Sequence, residues 1–327
     1  MKAKPGFAAS LLRYTVMAGA LAASTLGVAY AQQYPNKPIT LIMPFGAGGP
    51  PDAYGRVFAE KLSQRIGQPV IVENRPGANG TIGCANGAKA RPDGYTILYG
   101  TNSCTAAAKG LFKSLSYDPL KDLKPVTIVA HAYFVLAVPL SEKDTSIAEY
   151  LEKVRKDPAK YPIGGASGTA QTISAMIQNA GKLDYTYVSY AASPQMVTDL
   201  LGGRLGGMIH PVAGSSALIN SGKMHGMALV APQTLSAVPG VPILNDTLPD
   251  IDLGAWTGIF VPGETPQAVV DTLYENIAEV LKDPAVIEIT ELGGVVVKMT
   301  PTEAQQFVDK EAERWPVLLK AAGIEPV

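Results

Sequence analysis

The 327-residue chain is poor in the side chains from which most catalytic and metal centres are built. Its three histidines, His131, His210 and His225, lie neither four residues from one another nor beside a cysteine, so no metal site of the usual spacing is visible. The stretch Gly165-Ala166-Ser167-Gly168-Thr169 imitates the nucleophile elbow of serine hydrolases but carries threonine where the last glycine belongs. Gly46 and Gly48 open a dinucleotide fingerprint in which Pro51 replaces the third glycine, and no GxxxxGK phosphate loop occurs. With no positioned acid, base or nucleophile to assemble, the chain is not expected to be an enzyme, and no metal or cofactor is expected either.

Clustered positive charge is also missing. Charged residues make up 17% of the chain, and no basic stripe with an aromatic platform is present, which excludes a nucleic-acid binder. The basic residues Lys2, Lys4 and Arg13 precede an apolar, small-residue stretch, 14–28, that is too short for a comfortable membrane span. It ends in Ala29-Tyr30-Ala31, with small residues where a signal peptidase needs them, so cleavage is expected after Ala31 and the mature protein is expected in the periplasm. A retained anchor is the alternative. Removing 1–31 leaves 24 basic residues against 28 acidic ones, a formal charge of −4. The two cysteines, Cys84 and Cys104, would then meet an oxidising compartment, where a disulfide and two separate buried thiols are both admissible.

What the chain does have is alternation. From Pro38 onward, short β-branched runs alternate with helical patterns, the sign of α/β units on mostly parallel sheets. The runs 39–43, 69–73 and 95–100 read as strands, and Tyr54, Val57, Phe58, Leu62 and Ile66 form one apolar helix face between the first two. A second group of strand candidates falls at 135–138, 161–165, 185–190, 206–210 and 227–231. Amphipathic helices at about 266–282 and 302–321 suggest that the chain then returns to where it began. Two lobes joined by two crossings fit this order, with 32–133 and 255–327 as domain 1 and 134–254 as domain 2. The turns after several strands are rich in glycine and small hydroxyl residues: 44–52, 74–81, 101–105 and 164–172. Turns of this kind expose backbone N–H groups at helix N-termini, where the helix dipole adds to them and a carboxylate is the natural guest. Tight turning alone would also explain the glycines.

The residues that carry a specific likeness run through most of the mature chain: YPNKPITLIMPFGAGG with Asp52, GQPVIVENRPGANGTIG, ARPDGYTIL, LSYDPLKDLKPV, DLLGGRLGGM, WTGIFVPGETP and RWPVLLKAAGI. In these the chain resembles the periplasmic solute-binding receptors of tripartite tricarboxylate transporters, the Bug or TctC-like family. The resemblance implies a two-domain α/β periplasmic binding-protein fold, type II-like, which closes on a carboxylic acid in the interdomain cleft. It also implies transfer of that acid to membrane transporter subunits, and the receptor is expected to act as a monomer. It assigns Phe45, Gly48, Gly49 and Asp52 to a first ligand loop, Asn79 to a second, and Thr101, Asn102 and Ser103 to a third. In the other lobe it assigns Ser167, Gly168 and Thr169, and then Tyr190 to Ser193. Asp52 reads equally well as a helix-capping or donor-orienting carboxylate, and Asp199 as a helix-surface group.

The chain departs from the family at Pro50-Pro51 and Ala53-Tyr54 around the aspartate, and at Tyr190-Ala191-Ala192, where tyrosine-lysine-glycine is usual. With Tyr133, Phe134 or Tyr190 in the cleft, the lining would suit a flat apolar body, so an aromatic mono- or dicarboxylate such as terephthalate is expected, with an aliphatic dicarboxylate as the alternative. Ordinary core positions for these tyrosines are the competing reading. His210, at a strand end, is a candidate contact that a core or surface histidine would equally explain. A ligand-sensing partner of a signalling receptor would use the same pocket.

Overall fold

Burial on both faces, which β-branched and aliphatic runs demand, organises the chain into two sheets. The computed structural model describes residues 34–326 apart from 250, 252 and 322, so the expected signal peptide and its cleavage site lie outside the described residues. The first part of the chain gives β1 (Ile39–Met43), α1 (Pro50–Ile66), β2 (Val70–Asn74), α2 (Thr81–Ala88), β3 (Thr96–Thr101), the short α3 (Ala108–Leu111) and the ten-residue β4 (Leu123–Ala132). The middle part gives β5 (Phe134–Val138), α4 (Ile147–Lys156), β6 (Ile163–Gly165), α5 (Gly168–Gly181), β7 (Tyr187–Ser189), α6 (Ser193–Leu201), β8 (Gly207–Pro211), α7 (Val212–Asn220) and β9 (His225–Val230). The last part gives β10 (Ala255–Pro262), α8 (Gln267–Val280), α9 (Pro284–Glu291), β11 (Gly294–Val296) and α10 (Pro301–Ala321).

One sheet has the strand order β11-β4-β10-β3-β1-β2 and the other β7-β6-β8-β5-β9. The expectation of mostly parallel sheets needs correction. The pairs β1–β2, β1–β3, β6–β7 and β6–β8 are parallel, whereas β3–β10, β10–β4, β4–β11, β8–β5 and β5–β9 are antiparallel. The reason is the route of the chain. Strands β4 and β5 run on from one sheet into the next with only Tyr133 between them, and β10 brings the chain back beside β4, so the connecting strands cannot keep the direction of the βαβ units. The two crossings lie side by side: Ala255 pairs with Ala132, and a Cβ on Gly254 would stand 3.2 Å from the Ala132 carbonyl oxygen. Tyr133 holds the junction through its backbone, its N–H donating to the Gly293 carbonyl at 2.9 Å and its own carbonyl accepting from Val212 N at 3.0 Å.

Local sequence explains the helices. In α4 the apolar Ile147, Tyr150, Leu151 and Val154 recur at helical spacing and are buried, and a Ser146–Glu149 capping box satisfies the first turn. In α10 the buried line Ala304, Val308, Glu311, Trp315 and Leu319 includes one carboxylate. Glu311 Oε2 accepts from Trp256 Nε1 at 2.9 Å and from Trp315 Nε1 at 3.0 Å, and Arg314 pairs with the other oxygen at 3.2 Å, so the buried charge is matched. Among the described residues, no helix is long and apolar enough to cross a membrane.

Candidate functional site

The parallel strands of each sheet end at the same edge, and their following turns collect there, which is where open α/β sheets take ligands. In the first sheet the turn between β1 and α1 is shaped by Asp52. This residue is 3% exposed and sits three positions beyond Gly49, the N-cap of α1. Its Oδ2 accepts from Gly48 N at 2.9 Å and Arg56 Nε at 3.0 Å, and its Oδ1 accepts from Asn74 Nδ2 at 2.8 Å. The same Asn74 amide donates to the Phe45 carbonyl at 3.1 Å. Burial pushes the Asp52 carboxyl up, but the bonds from Arg56, Gly48 and Asn74 outweigh it and hold the group below its ordinary value. The carboxylate is therefore a clamp across the first loop, and the Gly48 N–H is spent on it rather than presented to a ligand. Gly48 itself needs to be glycine, since its φ is +84°. Phe45 is half-buried, with its ring edge-on to Tyr99 at 6.3 Å.

The helix that follows the second loop is joined covalently to the third loop. A disulfide links Cys84 in α2 to Cys104, and both residues are fully buried. Tyr117 Oη donates to the Cys104 carbonyl at 2.5 Å, and Thr105 Oγ1 donates to the Thr101 carbonyl at 2.6 Å, so the turn 101–105 is braced from within. Asn79, in the left-handed conformation at φ 52°, lies on the approach to α2 and is exposed, whereas Asn102 and Ser103 are buried.

The second lobe meets these loops at the start of α5. Asn102 Nδ2 donates to Thr169 Oγ1 at 3.3 Å, a buried link between the two sheets' loops. The Asn79 amide nitrogen stands 3.8 Å from where a Cβ on Gly168 would be, with Leu111 at 3.6 Å from the same point. Ser167 is the N-cap of α5, its Oγ accepting from Ala170 N at 3.1 Å. Gly168 and Thr169 occupy the first turn, where helical geometry gives their N–H groups no intrahelical acceptor. The structure thus brings Asn79 and Asn102 from one lobe against Ser167, Gly168 and Thr169 from the other. Asn102 and Thr169 present a short polar seam there, and no cationic side chain takes part in their bond.

The remaining sequence candidates are placed elsewhere or otherwise engaged. Tyr133 is 8% exposed and packs in the apolar cluster of the second lobe with Val135, Met208 and Val212. Tyr190 lays its ring against Gly164 and donates its hydroxyl to Asp199 Oδ2 at 2.8 Å, and Asp199 in turn pairs with Arg204 at 2.7 Å. That pairing with Arg204, then the Tyr190 bond, lowers the Asp199 carboxyl. Ser193 opens α6 and is half-buried. His210 is 5% exposed, its Nδ1 lies 2.8 Å from Ser215 Oγ, and a Cβ on Gly214 would touch its ring at 2.4 Å. Burial drops its pKa to about 4, so it is a neutral core group wedged against α7. The sequence reading missed Asn74 and Arg56. The i,i+4 spacing of Asp52 and Arg56 on a helix was an available signal for the second; nothing short of the fold pointed to Asn74. Among the described residues no cluster of histidine, cysteine, aspartate or glutamate is placed to hold a metal ion.

Comparisons with known proteins agree with the two-sheet fold. The model of the family described as tripartite tricarboxylate transporter family receptor matches residues 54–324. A UPF0065 protein of Bordetella bronchiseptica is 30% identical over 322 residues, 98% of this chain and 96% of its own length. A Rhodopseudomonas palustris protein solved with adipate is 28% identical with a TM-score of 0.83, covering 90% of this chain and 100% of that one. MatC from the same organism, solved with bound malate, is 27% identical with a TM-score of 0.79, covering 88% and 100%. With the two-sheet fold, its paired crossings and the match over most of the chain in hand, this protein belongs to the receptor family of the tripartite tricarboxylate transporters.

Proposed function

We propose that this receptor captures a small carboxylate in the periplasm, after removal of a signal peptide at Ala31, and passes it to the membrane subunits of a tripartite transporter. It does so as a monomer and without catalysing a reaction. Residues 32–133 with 255–327 act as one domain and 134–254 as the other, and the ligand lies in the cleft between them. The observation that carries this reading is the meeting of Asn79 and Asn102 with the capped N-terminus of α5 at Ser167, Gly168 and Thr169. Aligned backbone dipoles and side-chain amides hold a carboxylate without a counter-charge, and a helix N-terminus supplies them already oriented. Relatives solved with adipate and malate support a diacid.

Within that class the ligand is an aromatic mono- or dicarboxylate of the terephthalate kind. Tyr133 and Tyr190 no longer support a ring-lined cleft, because one is core and the other is held by Asp199. The support comes instead from Phe45, which is half-buried in the first loop with its ring edge-on to the buried Tyr99 at 6.3 Å. An aliphatic diacid is the second reading, favoured by the ligands of the two similar structures. Calorimetry on the mature protein with terephthalate, adipate, malate and citrate separates them: tightest binding of terephthalate is expected. Selective binding of citrate or of an amino acid would defeat the proposal.

A further inference from the structure

We propose that the hydroxyls of Tyr54, Tyr99 and Thr257 form a subsite that receives the second carboxylate of a dicarboxylate ligand. This deepens the carboxylate reading above and rests on it.

Two buried polar atoms at this place have no hydrogen-bond partner, Tyr54 Oη and Thr257 Oγ1. Their residues are 6% and 8% exposed. Native proteins pair nearly all such groups, so each one left unmade costs stability, and sites kept for a ligand are where that cost is tolerated. The two belong together through Tyr99, which is 4% exposed and whose ring centroid is 5.4 Å from that of Tyr54. Thr257 pairs across the β3–β10 ladder with Thr101, two residues beyond Tyr99, so Tyr99, Thr101 and Thr257 project from one face of the sheet. Burial raises the Tyr99 phenol and the neighbouring Thr257 hydroxyl pulls it partly back, although no hydrogen bond of standard geometry joins the two.

The location fits a ligand's far end. Tyr54 lies in the first turns of α1, directly after the clamped loop, and Tyr99 is two residues before the turn that carries Asn102. Phe45, half-buried in that loop, meets Tyr99 edge-on at 6.3 Å, and Tyr54 stacks on Phe58 at 6.0 Å, which gives an apolar wall beside the hydroxyls. Asp52, two residues before Tyr54, is ion-paired with Arg56 at 3.0 Å, so its charge is balanced. Neutral O–H donors beside aromatic rings recognise an acceptor carried on an apolar body. A diacid held at one end by α5 supplies that acceptor at the other, whereas a monoacid of the same body leaves the hydroxyls unpaired.

The test uses Tyr54→Phe and Thr257→Val in the mature protein, with calorimetry against terephthalate and benzoate and against adipate and hexanoate. Each variant is expected to bind the diacids about tenfold more weakly and the monoacids within about twofold of the parent. The ligand-free variants are expected to melt at or above the parent temperature, since a hydroxyl without a partner has been removed. Unchanged diacid affinity in both variants, or equal losses for diacids and monoacids, overturns the subsite while leaving the carboxylate reading intact. A parent that binds none of the four acids overturns both.

Discussion

The two lobes bring different kinds of structure to their common edge. In the first, the loop residues are tied to one another: Asp52 gathers Gly48, Arg56 and Asn74, and the disulfide fixes α2 to the turn that holds Asn102. In the second, the same edge is the bare start of a helix, with Ser167 as its cap and the nearby Tyr190, Asp199 and Arg204 bonded among themselves. The contrast teaches a division of labour in which one lobe offers a braced surface and the other delivers a dipole to it. Bracing costs little at the moment of binding because the ordering has already been done.

The comparison breaks most severely at Asp52. Asp52→Ala strips the partner from a half-buried amide, a backbone N–H and a guanidinium at once, and a loss of about 3 kcal/mol in unfolding free energy is expected from denaturant titration. Ligand affinity should fall with it. A variant of undiminished stability would show that the first lobe is not braced in this way. His210 sharpens the second lobe's side. Its imidazole stays neutral in the folded chain down to about pH 4, whereas the unfolded chain takes up the proton near 6.5, so stability is full above that pH and declines as pH falls between the two values. The contribution is about 3 kcal/mol. His210→Asn should flatten that part of the stability profile, and an unaltered slope would place the acid loss elsewhere. The smallest effect is expected at Ser167. Loss of its cap bond to Ala170 in Ser167→Ala costs about 1 kcal/mol by thermal unfolding, so this variant weakens binding and melting together. An effect on affinity alone would mean that the hydroxyl faces the ligand instead.

Much of this fold could be read before it was seen, because period and turn chemistry are local. The strand runs at 39–43, 95–100 and 206–210 became β1, β3 and β8 within a residue or so, and the closing helix appeared at Pro301–Ala321. Strand β4 escaped notice although it is the longest among the described residues. Pro125 interrupts its pattern, and a proline survives there because the β4–β10 register shifts beside it, between Ile259 and Phe260, where a ladder bond is not needed. Glycine and hydroxyl content marked the turns, the resemblance named Asn79, Asn102, Gly168 and Thr169 within them, and the fold brings these four residues together at one edge. It did not reveal how the polar groups are used. The partner of Asp52 that lies farthest away, Asn74, is 22 residues on, and what His210 meets depends on how α7 folds back over β8. Such pairings are settled by packing across elements, and a single sequence carries no record of them.

One carboxylate described earlier has an optical consequence. The chain contains two tryptophans, and Glu311 binds the indoles of both. Trp256 stands at the start of the strand that brings the chain back from the second lobe, two residues after Gly254. All of the intrinsic indole fluorescence therefore originates beside one of the two passages between the lobes, and the emission of the unlabelled protein reports on packing and solvation there.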